Sequence, residues 1–344
     1  MKSGTIFHAA NDEPVQPALG SITTAMRKLI LLTTISALFV SAQLPRPEAA
    51  LLQIPDRALS SPPVFIAYGD IRFTDPTRTI PTNPKVRRWV VDQIAIDKPD
   101  AVMVSGDIPW HGDDPADYAV FQTETAPWQA ANLVILPALG NHELSGNQQK
   151  CLDNWWRAFP NLQGHRWYSV EAGSKVVILN LDSNSSLLPG SEQQDWIRNQ
   201  LTNLPKTVQF VFFNIHHPPV TDNEPLLGAE HNARPNEIAL ANLLRSSPAR
   251  KQAAFVVAAG HIHNYERFLQ DGIVYLVSGG GGAAPVPTRR DPGDLYKNPP
   301  VASYHYVKFV LHGNQLDAQM MRVVDPNADS PQWEVRDSFT VSAP

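Results

Sequence analysis

From residue 51 onward, short apolar runs alternate with longer amphipathic or turn-rich stretches, the pattern of strands interleaved with helices and loops. Nine runs predict strands, at residues 64–68, 101–105, 133–138, 175–181, 208–215, 253–258, 273–278, 304–311 and 316–323. Helices are predicted at residues 84–96, 115–131, 149–159, 192–204 and 235–245. The segment 192–204 is the clearest. Ser191 is placed to cap the first turn, Gln194 three residues later fits a capping box, and Trp196, Ile197 and Leu201 recur at helical spacing. No internal repeat or low-complexity tract interrupts the alternation. The last two strands follow without an evident linker, so residues 51–344 are expected to form one mixed α/β domain.

Residues 1–50 do not follow this alternation. Met26-Arg27-Lys28 supplies a positive start, residues 29–40 a mostly apolar stretch and Val40-Ser41-Ala42 a small-residue ending. Together they read as a secretory signal peptide within residues 26–50, with Ala49 or Ala50 as the alternative cleavage point. The apolar stretch falls short of the about 20 residues that span a bilayer. The chain is therefore expected to be exported, periplasmic or secreted, with no membrane span after cleavage. Residues 1–25 sit awkwardly ahead of such a signal and are read as a mis-assigned upstream segment, with Met26 as the true start.

Composition narrows the function classes. Apolar content of 43% and charged content of 18% belong to a globular chain, and the 31 prolines suit long ordered loops. A net charge of −5 offers no basic face for nucleic acid or anionic lipid. An anionic substrate would thus need local positive charge, such as bound metal. Cys151 is the single cysteine, so no disulfide closes within the chain, and it reads as a small packing residue.

Five predicted strands run into polar residues of a particular kind. They are followed by Gly69-Asp70, Gly106-Asp107, Gly140-Asn141-His142-Glu143, His216-His217-Pro218-Pro219 and Gly260-His261-Ile262-His263. Ligands of open α/β sheets bind just beyond the carboxyl ends of strands, so the five tips are expected to converge on one crevice. They would bring together two carboxylates, an amide oxygen and three imidazoles, a mixed oxygen and nitrogen set suited to zinc, iron or manganese. A carboxylate bridging two such ions is a natural role for Asp107. Glycine before a ligand fits a tight turn at a strand end, by positive φ or by close backbone approach.

In this order the five motifs resemble the calcineurin-like metallophosphoesterases over residues 64–282, and the run His263-Asn264-Tyr265-Glu266-Arg267 draws the chain toward the purple acid phosphatase-like branch. The resemblance implies a four-layer αββα sandwich with a dinuclear metal site between the sheets. It implies one ion on Asp70, Asp107 and His263 and a second on Asp107, Asn141, His216 and His261. A metal-bridging hydroxide would attack phosphorus, with His142 as proton donor or phosphate-oxygen partner and His231 as a substrate contact. Glu143 would orient His142 or a ligand histidine. The implied reaction is hydrolysis of small phosphate monoesters. Phosphodiester or nucleotide hydrolysis on the same site is the alternative, and a non-catalytic metal- or phosphate-binding protein the third reading.

Two positions depart from the family pattern. Arg72 stands where many members have a further histidine ligand to the first ion, and Trp110 where purple acid phosphatases have the tyrosine that gives them their colour. The first ion is thus left with three recognisable protein ligands, His111 being the nearest further candidate, and the protein is expected not to be purple. Arg72 is expected either to contact substrate phosphate, because a guanidinium pairs with its oxygens, or to form a surface or supporting salt bridge. His217, next to a proposed ligand on extended backbone, is expected to point the other way and either to pack or to support the ligands from behind. Asp182 reads as structural, Trp155-Trp156 as core or rim, and the run 279–282 as a flexible glycine turn beside the site.

Overall fold

The computed structural model describes residues 50–222, 231–297 and 303–344; the expected signal segment lies outside them. Among the described residues thirteen strands form two sheets. The strands are β1 (Leu52–Ile54), β2 (Val64–Tyr68), β3 (Ala101–Val104), β4 (Ile135–Pro137), β5 (Tyr168–Ala172), β6 (Val176–Asn180), β7 (Phe210–Asn214), β8 (Ala254–Ala259), β9 (Tyr265–Gln270), β10 (Ile273–Ser278), β11 (His305–His312), β12 (Gln315–Val323) and β13 (Trp333–Ser342). The helices are α1 (Pro84–Asp97), α2 (Pro115–Glu124), α3 (Ala126–Ala130), α4 (Gln148–Ala158), α5 (Glu192–Thr202) and α6 (Pro235–Ser246).

One sheet runs in the order β1-β5-β6-β7-β8-β10-β9, the other β13-β12-β11-β2-β3-β4. Their central strands are parallel, β2 to β4 in one sheet and β6, β7, β8 and β10 in the other. Period-2 alternation along the second group decides the layers. Ile178, Phe210, Phe212, Val256, Ala258, Val274 and Leu276 face a core shared with β2, β3 and β11. Their neighbours Val177, Leu179, Val211, Phe213, Phe255, Val257 and Tyr275 join Ile197 and Leu201 of α5 and Leu240, Leu243 and Leu244 of α6 in a second core. Phe212 is the pin between the sheets, 6.0 Å from Phe65 and 5.1 Å from Phe309 by ring centroids. Helix α1 contributes Val86, Val90, Val91 and Ile94 to the first core. The result is the expected αββα sandwich, with β2 to β4 and β7 to β8 ending on one rim.

All nine predicted strands are present within two residues of their expected ends. Four strands escaped the pattern for identifiable reasons. β1 is three residues long, β5 mixes polar with apolar residues, the polar residues of β13 suit the sheet edge it occupies, and β9 carries Glu266 and Arg267 within the chemical motif. The expected helix at 115–131 is two helices. Thr125 leaves helical geometry at ψ 13, and Pro127 in the first turn of α3 lacks the N–H that would continue α2. Ser191 caps α5 as expected, accepting from the Gln194 N–H at 3.3 Å. The Gln194 side chain instead donates to the Leu187 carbonyl at 2.8 Å, so the capping box is half formed.

Candidate metal centre

Each ligand candidate sits at the end of a parallel strand, and the chain bends sharply to present it. Asp70, Asp107 and His261 all have positive φ (59°, 57° and 71°), a region that non-glycine residues seldom occupy and that clusters at functional sites. The preceding glycines serve in two ways. Gly106 has φ 88°. Gly140 and Gly260 are places of close approach, where a Cβ would lie 2.4 Å from Asp107 Oδ1 and 2.6 Å from Asp70 Oδ2.

The five tips converge as expected. Asn141 Oδ1 lies 2.8 Å from His216 Nε2 and 3.2 Å from His261 Nδ1, the two imidazole nitrogens are 3.3 Å apart, and Asp107 Oδ1 is 3.3 Å from His216 Nε2. Backbone carbonyls fix the tautomers. His216 Nδ1 is 2.7 Å from the Ser105 carbonyl, His142 Nδ1 2.6 Å from that of Trp110 and His263 Nδ1 3.0 Å from that of Ala284. A carbonyl only accepts, so each Nδ1 carries the proton and each Nε2 turns a lone pair into the cleft. Burial keeps these rings neutral. It pushes the His142 and His216 pKa values below the usual imidazole range and that of His263 down to about 3, with Arg72 adding to the last.

The carboxylates are unequal. Burial and the neighbouring Asp107 raise the Asp70 pKa well above the usual range. Burial works in the same direction on Asp107, but His216, His142 and Arg72 outweigh it and hold that carboxyl well below. The fit of a metal ion differs accordingly. At the position framed by Asp107, Asn141, His216 and His261, four donors face one another with lone pairs turned inward, an arrangement that a cation of the zinc, iron or manganese class relieves. At the position framed by Asp70, Asp107 and His263, Asp70 Oδ1 is buried without a hydrogen-bond partner, 3.6 Å from His263 Nε2. There, however, Asp107 Oδ2 already faces the Arg72 guanidinium at 3.4 Å. Asp70, Asp107 and His216 also place one ligand atom each within 4.8 Å of one another, so this second position has donors for an ion but carries the fixed positive charge of Arg72 beside it.

Around these groups the structure sharpens and corrects the sequence reading. His142 Nε2 lies 3.7 Å from Asp107 Oδ2, beside the centre as expected. His231 reaches the site too, stacked on His261 at 5.1 Å. His217 does not point away. Its ring lies 4.3 Å from that of His261, Nδ1 bonds Ser183 Oγ at 2.7 Å, and with His216 and His261 it forms a second cluster of metal-ligand type. Two rings that meet one neighbour from adjacent positions require the bent backbone after β7, which an extended-strand reading misses. Glu143 orients no histidine. It accepts the backbone N–H groups of Asp107, Ile108 and Gly140 at 2.9, 2.7 and 2.7 Å, binding the loops after β3 and β4 to each other. His111 turns edge-on to Trp110 at 5.2 Å. The glycine run 279–282 lies beside the site but is a packed strip: a Cβ there would fall 2.1 to 2.6 Å from Ile262, His305, Gly69 and Ile71 atoms.

One supporting residue went unnoticed in the sequence. Asn214, fully buried at the end of β7, donates across the sheets to the Val104 and Leu136 carbonyls at 3.2 and 3.0 Å and to Asn180 Oδ1 at 2.8 Å. It ties both sheets together beneath the ligands. An asparagine closing the apolar run Phe210–Asn214 was the available signal. Asp182 is held by Arg166, Ser185 and Asn184 in a structural knot, and Trp155 lies in the core.

Comparison with known proteins agrees with this picture. The calcineurin-like phosphoesterase family model matches residues 63–279, more than half of the chain, and the protein belongs to that family. A curated relative, a probable purple acid phosphatase 20 of Arabidopsis thaliana, is 29% identical over 228 residues, 60% of this chain and 47% of that protein. The chain thus spans about half the length of the relative it matches. Among solved structures, a purple acid phosphatase from yellow lupin seeds superposes with a TM-score of 0.64 at 18% identity, over 82% of this chain and 54% of the other. A dimetal phosphatase from Danio rerio gives 0.51 at 16% identity, over 82% and 100%. These two likenesses establish the fold.

Proposed function

We propose that the protein is an exported, metal-dependent phosphatase that hydrolyses small phosphate monoesters. The observation that carries this reading is the convergence of Asp107 Oδ1, Asn141 Oδ1, His216 Nε2 and His261 Nδ1. Those four residues would hold an ion that supplies Lewis acidity and an activated water at neutral pH. The dinuclear arrangement implied by the motifs would add Asp70 and His263, the less complete of the two positions.

The chain's own groups would then do the following. Arg72, with a side chain 16% exposed, offers N–H groups to the phosphoryl oxygens. His142, neutral and with Nε2 open to the cleft, takes up a proton at that atom and delivers it to the departing ester oxygen. His231, stacked on His261, would contact the substrate beside that ligand. Water adds to phosphorus as the ester bond breaks, giving an alcohol and inorganic phosphate.

Export rests on the N-terminal sequence; among the described residues no helix is long and apolar enough to cross a membrane. The test is turnover of p-nitrophenyl phosphate against bis-p-nitrophenyl phosphate, before and after chelation and resupply of zinc, manganese or iron. Metal-dependent hydrolysis favouring the monoester supports the proposal. Preference for the diester makes the protein a phosphodiesterase, and no turnover with any metal removes the enzymatic reading.

A further inference from the structure

The two candidate positions share Asp107 but divide its oxygens. Oδ1 faces the four-donor position, 3.3 Å from His216 Nε2, while Oδ2 faces Arg72 at 3.4 Å. The main chain that carries the guanidinium is held in three ways. The backbone at Arg72 has φ 55°, its N–H donates to the Asp107 carbonyl at 2.9 Å, and its own carbonyl accepts from Arg87 at 3.1 Å. Arg87 is itself fully buried and bonded through two nitrogens to Glu124 at 2.8 and 2.6 Å. The guanidinium then lies over the Trp110 ring, 5.1 Å from its centroid, and Trp110 stacks on His142 at 4.6 Å. The two residues that depart from the family pattern are thus in contact with each other.

We infer that the Arg72 guanidinium stands in for one of the two cations, so that the protein holds a single metal ion, on Asp107, Asn141, His216 and His261. This inference rests on the metal-dependent reading above. A divalent ion on Asp70, Asp107 and His263 would share a carboxylate with a fixed positive charge and meet it at close range, where repulsion is strong. Three protein donors are a poor match for that cost. A guanidinium fills the same electrostatic office: it neutralises the inner carboxylates and presents planar N–H donors to a phosphate. Asp70, with Oδ2 accepting the His261 N–H at 2.8 Å, is left as the carboxylate that shapes the His261 turn.

Manganese tests this. The full chain is stripped with chelator, saturated with Mn2+, desalted and assayed for ions per chain by mass spectrometry, with electron paramagnetic resonance on the same sample. The expected result is one ion and an uncoupled six-line signal for the wild type. For Arg72→His, which removes the charge and supplies an imidazole, it is two ions and an exchange-coupled signal. Two coupled ions in the wild type overturn the inference and leave the metal-dependent reading standing. One ion in both proteins also overturns it, because the second position was then never Arg72's to replace. No ion in a folded wild type sinks both. Should Arg72→His fold poorly, Arg72→Gln keeps the side-chain length, and a gain to more than one ion per chain is expected there too.

Discussion

On one side of Asp107 an amide and imidazoles converge with their lone pairs inward; on the other a guanidinium over an indole ring pairs with the carboxylate at 3.4 Å. Both halves answer the same problem, a buried pair of carboxylates that cannot both be charged unaided. The histidine half answers it with neutral donors that would share the carboxylate with a bound cation. The Arg72 half carries a covalently attached charge that cannot be lost to a chelator. The strand-end motifs alone therefore do not decide what stands between them: on the inference above, the arginine at position 72 acts as counter-ion where a second cation would sit.

The largest effect should come from the residue the halves share. Asp107→Asn is expected to lower kcat/KM for a phosphate monoester by at least ~1000-fold, since both the metal cradle and Arg72 lose their common anion. Near-normal turnover by that variant would show that the two halves do not act through Asp107. Next in size is an acid effect at the packed glycine strip beside the site. His305 is buried under Gly280, with Nδ1 2.9 Å from the Ser303 carbonyl and Nε2 without a partner, and burial lowers its pKa from 6.5 to about 4. Its folded pKa lies below its unfolded value, so the unfolded chain binds the extra proton. Stability is therefore complete above about pH 6.5 and falls as the pH drops toward 4, by about 3 kcal/mol in all. Urea unfolding of the wild type and of His305→Gln at pH 7 and 4.5 checks this; an unchanged pH slope in the variant removes His305 as the cause.

A smaller effect is expected at Glu143, which supports both halves from below through three backbone N–H groups. In Glu143→Gln one acceptor becomes an NH2 donor that faces an N–H, which should loosen the Asp107 and Asn141 loops. Metal affinity is expected to fall about tenfold, the lower end of what supporting residues contribute. Calorimetric titration with Zn2+ measures it, and an unaltered affinity would mean the loops hold their shape without the carboxylate.

How far this site was legible in the sequence follows the same division. The strand ends could be read because apolar runs announce strands and each ends in a short polar signature; β2, β7, β8 and β10 are continuous apolar runs bounded by turn residues. The donor set was readable for that reason too. What could not be read were contacts set by the third dimension. That His217 would face His261 depends on a bend after Asn214, and that Glu143 would clamp backbone depends on two loops meeting. The glycine run 279–282 looked like a turn because flexibility and close packing select the same residue, and only the atoms crowding each Cα separate them. Arg72 and Trp110 were visible as substitutions, 38 positions apart, but nothing in one chain says that two departures touch.

That contact gives the finest test of the comparison. If the Arg72 half works because the indole holds the guanidinium in place, Trp110→Leu should weaken it without disturbing the histidine half. A cation–π contact near the surface is worth about 1 kcal/mol, which corresponds to roughly a fivefold change. The expected outcome is a KM for p-nitrophenyl phosphate raised about fivefold, with metal content unchanged. Because the Trp110 ring also stacks on His142, a simultaneous fall in kcat would mean that the indole positions the proton-carrying imidazole as well. Trp110→Phe separates the two: a smaller ring still stacks on His142 but offers the guanidinium a weaker face, so kcat should recover while KM stays raised. Loss of metal from Trp110→Leu would instead show that the two halves are one structural unit, and that the division at Asp107 is only chemical.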